Sequence, residues 1–279
     1  VGRIAVRRSP SAVGRGEPPG PPLPPGQHRR SDADGAAHGV LPFGADAFSL
    51  TVWARQHGGE LYDREGNPAV EPEVLAAYWQ RELDLIGSGA APSVAQLSES
   101  LGLPLDQSNV VVGTVAMALI SAGQFTAFQE AAPDYDFALA DWPADADTAP
   151  GYQYLKPTMY WSASSTSDHP AEAALLIDFL SNDVRVAEIF GLERGEPGNP
   201  AFMEAVRGRV DDNGRHVLAF AEEMSGEIGP TPPLTPGGAS DVALLLSRYN
   251  QQVLFGDATP EQAADAFLGE LGDSIRAAR

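Results

Sequence analysis

From Val40 onward, short apolar runs alternate with longer stretches in which apolar residues recur every three or four positions. That alternation restricts the chain to an α/β layer architecture. Leu75, Trp79, Leu83 and Ile86 share one helical face over 72–86, with Pro72 in the first turn and Gly87 at the end. Asp168-His169-Pro170 opens a second helix carrying Leu176, Phe179, Leu180 and Val184 on one stripe. Asp241 opens a third, with Val242, Leu245, Leu246, Tyr249 and Val253, and Gly256 closes it. Thr259-Pro260-Glu261-Gln262 is a capping box with proline at the first helical position, ahead of Phe267, Leu271 and Ile275. Val115–Ile120, Phe137–Ala140 and Met159–Ala163 read as strands, with a short helix from Gln124 between the first two. Strands separated by helices predict mainly parallel pairing.

Residues 1–38 are unlike the rest. Six arginines against three acids give this piece +3 in a chain of net charge −20. Eleven of the eighteen residues from Ser9 to Gly26 are Pro or Gly, so the segment cannot repay its ordering entropy and is expected to be disordered. No apolar run follows the arginines, as a secretory signal requires. A frame-shifted or misassigned start in a GC-rich gene is the expected origin of this composition; a PxxP-type ligand is the functional alternative.

The acidic balance argues against nucleic acid and against anionic membrane surfaces as partners. There is no cysteine, which removes disulfides, thiol chemistry and a lipidated cysteine from this sequence. Lys156 is the only lysine, beside 17 arginines. The uncharged stretch 107–129 is broken by Gly113, Thr114, Ser121, Gly123 and Gln124, so it reads as a buried strand with flanking helices rather than a membrane span. The histidines at 28, 38, 57, 169 and 216 have no metal-ligand spacing. The acidic run from Asp134 to Asp147 is interrupted by Pro143 and fails the EF-hand pattern. No nucleophile elbow or phosphate-binding glycine loop occurs. Neither a catalytic group nor a cofactor site is expected, and the chain reads as a non-enzyme.

The densest chemistry lies in Gly151-Tyr152-Gln153-Tyr154-Leu155-Lys156-Pro157-Thr158-Met159-Tyr160-Trp161-Ser162. Aromatic rings set beside hydrogen-bonding groups suit the flat apolar face and hydroxyl rim of a sugar. On a strand Tyr160 and Trp161 point to opposite faces, one to stack on ligand and one to pack; Trp161 is favoured for the cleft. Gln153, Tyr154 and Lys156 are candidates for hydroxyl contacts, or else a surface hinge segment.

Five blocks, in order, resemble the extracellular solute-binding proteins of carbohydrate ABC transporters, the family-1, maltose-binding-protein-like type. They are Phe48 to Tyr62, Gly113 to Ser121, the 151–180 region, Gly191-Leu192-Glu193-Arg194-Gly195-Glu196-Pro197, and Gly229-Pro230-Thr231-Pro232-Pro233. The resemblance covers roughly 41–279. It implies a periplasmic-binding-protein-like type II fold of two α/β lobes, with sugar held in the cleft and a hinge closing on it. It assigns 39–150 to the C-terminal lobe, 151–200 with its crossing strand to the N-terminal lobe, and 201–279 to the C-terminal lobe again. It places Ser121 and Gln124 on the cleft loop and Arg55 and Gln56 within reach of it, with Trp53 in the core.

The same resemblance implies a monomer that delivers a carbohydrate, an oligosaccharide by first choice, to ABC permease subunits. Relatives work in the periplasm or outside the cytoplasmic membrane, often as lipoproteins. Most of the family's N-terminal lobe has no counterpart here, so truncation at the N-terminus is expected. A remnant unable to bind is therefore the first alternative, and a secreted carbohydrate-active hydrolase the second.

Overall fold

The structure, a computed structural model, describes the backbone of residues 2–8 and residues 38–100, 102–156, 159–192 and 195–279. Among these, β1 (Gly2–Arg8), β2 (His38–Val40), β3 (Val115–Ile120) and β4 (Tyr135–Ala140) form one sheet in the order β2-β3-β1-β4. The helices before and within it are α1 (Ala47–Gln56), α2 (Pro72–Gly87), α3 (Val94–Ser100) and α4 (Phe125–Ala131). After β4 come α5 (Pro170–Asn182), α6 (Val184–Phe190), α7 (Pro200–Arg207), α8 (Asp212–Glu223), α9 (Val242–Phe255) and α10 (Pro260–Ala277).

The sheet corrects two expectations. Gly2–Arg8 pairs through residues 2–5 with β3 and through residues 3–8 with β4, aligning Ile4 with Ala118 and Leu139, so the start of the 1–38 piece is a strand. Ile4 and Val6 alternate with Arg3 and Arg7, a period-two signal outweighed by the Pro and Gly that follow. The reading of 9–37 as disordered lies outside the described residues. Pairing is also mixed rather than mainly parallel. β1 runs antiparallel to both neighbours, and the β2–β3 pair is parallel. A third expectation fails as well, because Met159–Ala163 forms no strand. Tyr160 and Trp161 therefore do not alternate across a sheet, and both are exposed.

Three main packing groups hold the described residues, and a smaller fourth gathers Val52, Trp142 and Tyr154. Helices α1, α2, α9 and α10 enclose Leu50, Leu75, Trp79, Leu246, Phe267 and Leu271. Thr259 and Gln262 form the expected capping box, with Gln262 N–H donating to the threonine hydroxyl and Thr259 N–H to the glutamine carbonyl. Gly256 ends α9 at φ 78°, where a side chain would be strained. The sheet packs on α4 and α8 through Phe125, Phe128, Phe137 and Val217. The third group, α5 to α7, is held by Val186, Ala187, Phe202 and Val206. This unit includes α7.

Helix α5 forms where its periodicity puts it, yet none of its residues is buried. Leu175, Leu176 and Phe179 are 69%, 57% and 41% exposed, and Leu180 alone of the stripe's members on this helix packs on α6 and α7. Periodicity reports which residues share a face; it does not supply the surface that covers them.

One junction ties the helical group to the sheet. The connector between β2 and α1 is clamped by α2: Tyr78 Oη donates to the Phe43 and Asp46 carbonyls (2.6 and 3.1 Å), and Trp79 Nε1 to that of Gly44 (2.9 Å). Glu82 is buried beneath it, accepting from Gly44 N–H (3.3 Å) and from the Asn250 side-chain amide of α9. A Cβ at position 44 would overlap the Glu82 carboxylate.

Burial pushes Glu82 up to about 7, although both hydrogen bonds favour the charged form. Against an unfolded value near 4.5 this amounts to about 3 kcal/mol. The raised value means that its contribution is complete below about pH 4.5 and is lost as pH climbs through about 7. Glu82→Gln should match the wild type in urea unfolding at pH 4 and exceed it by up to about 3 kcal/mol at pH 8. Parallel stability curves across that window would exclude the assignment.

Candidate functional site

The two passages of chain that cross between the packing groups meet at Gln153 and Ile228. They share a parallel bridge, and Gly229 N–H donates to the Gln153 carbonyl (2.7 Å). A Cβ on Gly229 would overlap the Gly151 carbonyl oxygen, so this close approach requires glycine. Gln153 is 1% exposed; its amide donates to Asp141, and its Oε1 has no partner in the structure.

Tyr154 follows in a pocket of Val52 and Trp142, its ring centroid 5.3 Å from that of Phe48. The Arg55 guanidinium lies 4.9 Å over the Tyr154 ring, and burial raises the phenol to about 12. Arg55 also grips Glu60 with two contacts, 2.7 and 3.0 Å, leaving its buried Nη1 without a partner. Gln56 Nε2 donates to the Pro143 carbonyl (2.8 Å), and Lys156 Nζ lies 5.3 Å over the Phe48 ring.

Five of the nine candidate residues thus gather around Phe48 and Trp142. Of the 153–156 segment, Gln153 and Tyr154 are buried while Leu155 and Lys156 stay exposed. Gln153 and Tyr154 are enclosed because α1 supplies an aromatic and cationic wall against them; they brace the crossing.

Ser121 and Gln124 stand elsewhere, at the end of β3. They cap the short 3-10 turn Ala122–Gln124, with Ser121 N–H donating to the Gln124 side-chain carbonyl (3.2 Å). Trp53 is partly buried against the helical core, its indole N–H donating to the Val74 carbonyl.

Tyr160 and Trp161 lie on a third surface. With Met159 they form one wall of a groove of about 940 Å³, whose other walls are the ends of α5 and α6 and the 195–202 turn. The Trp161 and Phe190 rings are 6.1 Å apart and tilted by 41°. Most polar groups of the far wall are occupied: Asn199 Oδ1 accepts from Ala201 and Phe202 N–H at the start of α7, and Asn199 Nδ2 donates to Asn182 (2.7 Å). Glu196 adds a carboxylate, and partial burial raises it while Arg207 opposes the shift.

Glu196 and Phe190 escaped the sequence reading. The only signal was the 191–197 block, which entered as part of the family resemblance and not as a ligand site. A smaller hollow of about 440 Å³, between Asn67–Pro72 and the end of α10, contains none of the candidates.

No known family model matches this sequence. Solved structures do match. The chain superposes on an extracellular solute-binding protein family 1 member from Alicyclobacillus acidocaldarius with a TM-score of 0.69 at 22% identity, covering 86% of this chain and 60% of that one. The fold is that of the type II solute-binding proteins. A periplasmic oligogalacturonide-binding protein from Yersinia enterocolitica, in complex with saturated digalacturonic acid, gives 0.71 at 19% identity, over 87% and 62% of the two chains. The maltotriose-bound MalE domain from Bdellovibrio bacteriovorus gives 0.64 at 17%, over 99% and 71%. Two further matches are de novo designed esterases, at 18% and 19% identity. The chain spans 60% to 63% of the length of the first matches.

The geometry separates bracing residues from surface ones. Tyr154→Ala should lower unfolding free energy by about 3–5 kcal/mol, the range for buried aromatics. Trp161→Ala, at a 43% exposed position, should change it by less than about 1 kcal/mol. Urea midpoints at constant m-value read both; equal losses would refute the distinction.

Proposed function

We propose that this chain captures a carbohydrate, an oligosaccharide by preference, as the substrate-binding part of an ABC importer. The observation that carries the reading is the exposed Tyr160–Trp161 pair on a 940 Å³ groove in a solute-binding fold. That volume is at the upper end of small-molecule sites, roughly 300–1,000 Å³. Aromatic faces with a polar rim match a pyranose, whose C–H face stacks while its hydroxyls hydrogen-bond. Two of the neighbours are named for maltotriose and oligogalacturonide, which supports the same class.

The proposed setting is outside the cytoplasmic membrane, the protein acting as a monomer that hands its ligand to permease subunits. Among the described residues no helix is long and apolar enough to cross a membrane. Light scattering reads the monomer, and co-purification with the permease reads the hand-over. The hydrolase alternative predicts turnover of a sugar panel, whereas the capture reading predicts binding without it.

A second reading has its own observation. The uncovered stripe of Leu175, Leu176 and Phe179 beside the groove suits a folded piece that cannot hold ligand alone. Titration of the full chain with maltotriose and trigalacturonate, followed by tryptophan fluorescence and calorimetry, separates the two. Under the capture reading at least one sugar binds, and Trp161→Ala weakens it about 10-fold or more, in line with 1–2 kcal/mol for a stacking aromatic. No heat and no fluorescence change at millimolar sugar would favour the second reading.

A further inference from the structure

We infer that the groove selects an uncharged oligosaccharide and that Glu196 is the residue that turns away acidic sugars. This rests on the carbohydrate reading and specifies its ligand class. Among the described residues lining the groove, Glu196 is the only charged one. Of the cations acting on it, Arg207 has the largest effect and does not line the groove. A uronic acid entering here would bring its carboxylate toward another carboxylate, beside the packed Trp161 and Phe190 rings, with no described cation in the lining to receive it. Like charges brought together on binding cost several kcal/mol, and a chain of net charge −20 adds to the repulsion at longer range.

For a neutral sugar the same carboxylate is an asset. It presents two acceptor oxygens and no donor, a match for the paired hydroxyls of a pyranose. Asn182 and Asn199 bond one another and Asn199 caps α7, so much of their capacity is already spent. Ser181 and the Tyr160 hydroxyl remain as minor polar contributors. Glu196 is thus the strongest hydrogen-bond acceptor the groove offers. Partial burial raises its pKa, against the opposing pull of Arg207.

The test is calorimetric titration of the full chain and of Glu196→Gln with maltotriose, trigalacturonate and spermidine at pH 7.5 and two salt concentrations. Glu196 lies at the surface, so Glu196→Gln should keep the wild-type urea midpoint. Wild type should bind maltotriose at least about 100-fold more tightly than trigalacturonate. Glu196→Gln should weaken maltotriose about 10-fold, as expected for loss of a hydrogen bond to a charged group, and narrow the gap between the two sugars. Equal or tighter binding of trigalacturonate overturns the inference and leaves carbohydrate capture standing. Unchanged selectivity in Glu196→Gln does the same. Tighter binding of spermidine than of either sugar overturns both, because a carboxylate among rings then serves a cation. Absence of all binding removes the capture reading itself.

Discussion

The clamp that α2 places on the 43–46 connector decides where the rest of the molecule can go. Tyr78 and Trp79 donate to three carbonyls of this stretch, adding to the turn and cap bonds that Phe43 and Asp46 accept from the Asp46 and Leu50 N–H groups; leaving the Gly44 carbonyl unpaired would cost on the order of 1–3 kcal/mol. With the connector fixed, Asp46 caps α1 by accepting from Ser49 N–H, which sets the direction of that helix. Phe48 and Arg55 then face the crossing segment and wall in Tyr154. From Tyr154 the chain leads on to Tyr160 and Trp161. The clamp, the α1 cap and the wall around Tyr154 thus form one relay from α2 to the crossing segment.

The parts of this relay differ in how visible they are in the sequence. α2, α9 and α10 were legible because each carries its own start and stop chemistry and a wide apolar face. β3 and β4 were legible as short apolar runs between turns. β1 was not, because two alternating residues in a basic, Pro- and Gly-flanked piece are too weak a signal; its strand is set by the gap between β3 and β4. Met159–Ala163 had the composition of a strand but no neighbour to pair with. For the candidate site, the aromatic string around 151–162 stood out, yet its division into a bracing half and an exposed half did not. That division depends on α1, about a hundred residues earlier. Glu196 and Phe190 were invisible because they join the groove only when the ends of α5 and α6 and the following turn converge.

Two carboxylates show how burial redirects one chemical group toward different ends. Glu82 is enclosed by Gly44 and Asn250, which consume its oxygens, so its charge is a cost that the junction carries as pH rises. Glu196 is only partly covered and faces a groove instead of an internal donor. The first therefore acts on stability and the second on selection. A −20 chain can carry both because most of its remaining acids are solvated, where repulsion is screened within about 10 Å at ordinary salt.

The stripe on α5 bears on how strongly such a groove can hold anything. Small-molecule sites bury most of their ligand's surface, roughly 70–90%, and a groove open on one side buries less. Stacking on Trp161 and hydrogen bonds to Glu196 contribute from one side alone; each is worth on the order of 1–3 kcal/mol, against association costs of several kcal/mol. Affinity on the micromolar scale requires a second wall. Leu175, Leu176 and Phe179 sit on the helix whose end lines the groove, and they form an apolar surface of the kind that marks an interaction site. Whatever covers that stripe also restrains the helix whose end lines the groove, so under the capture reading covering the stripe and holding a sugar would be energetically linked.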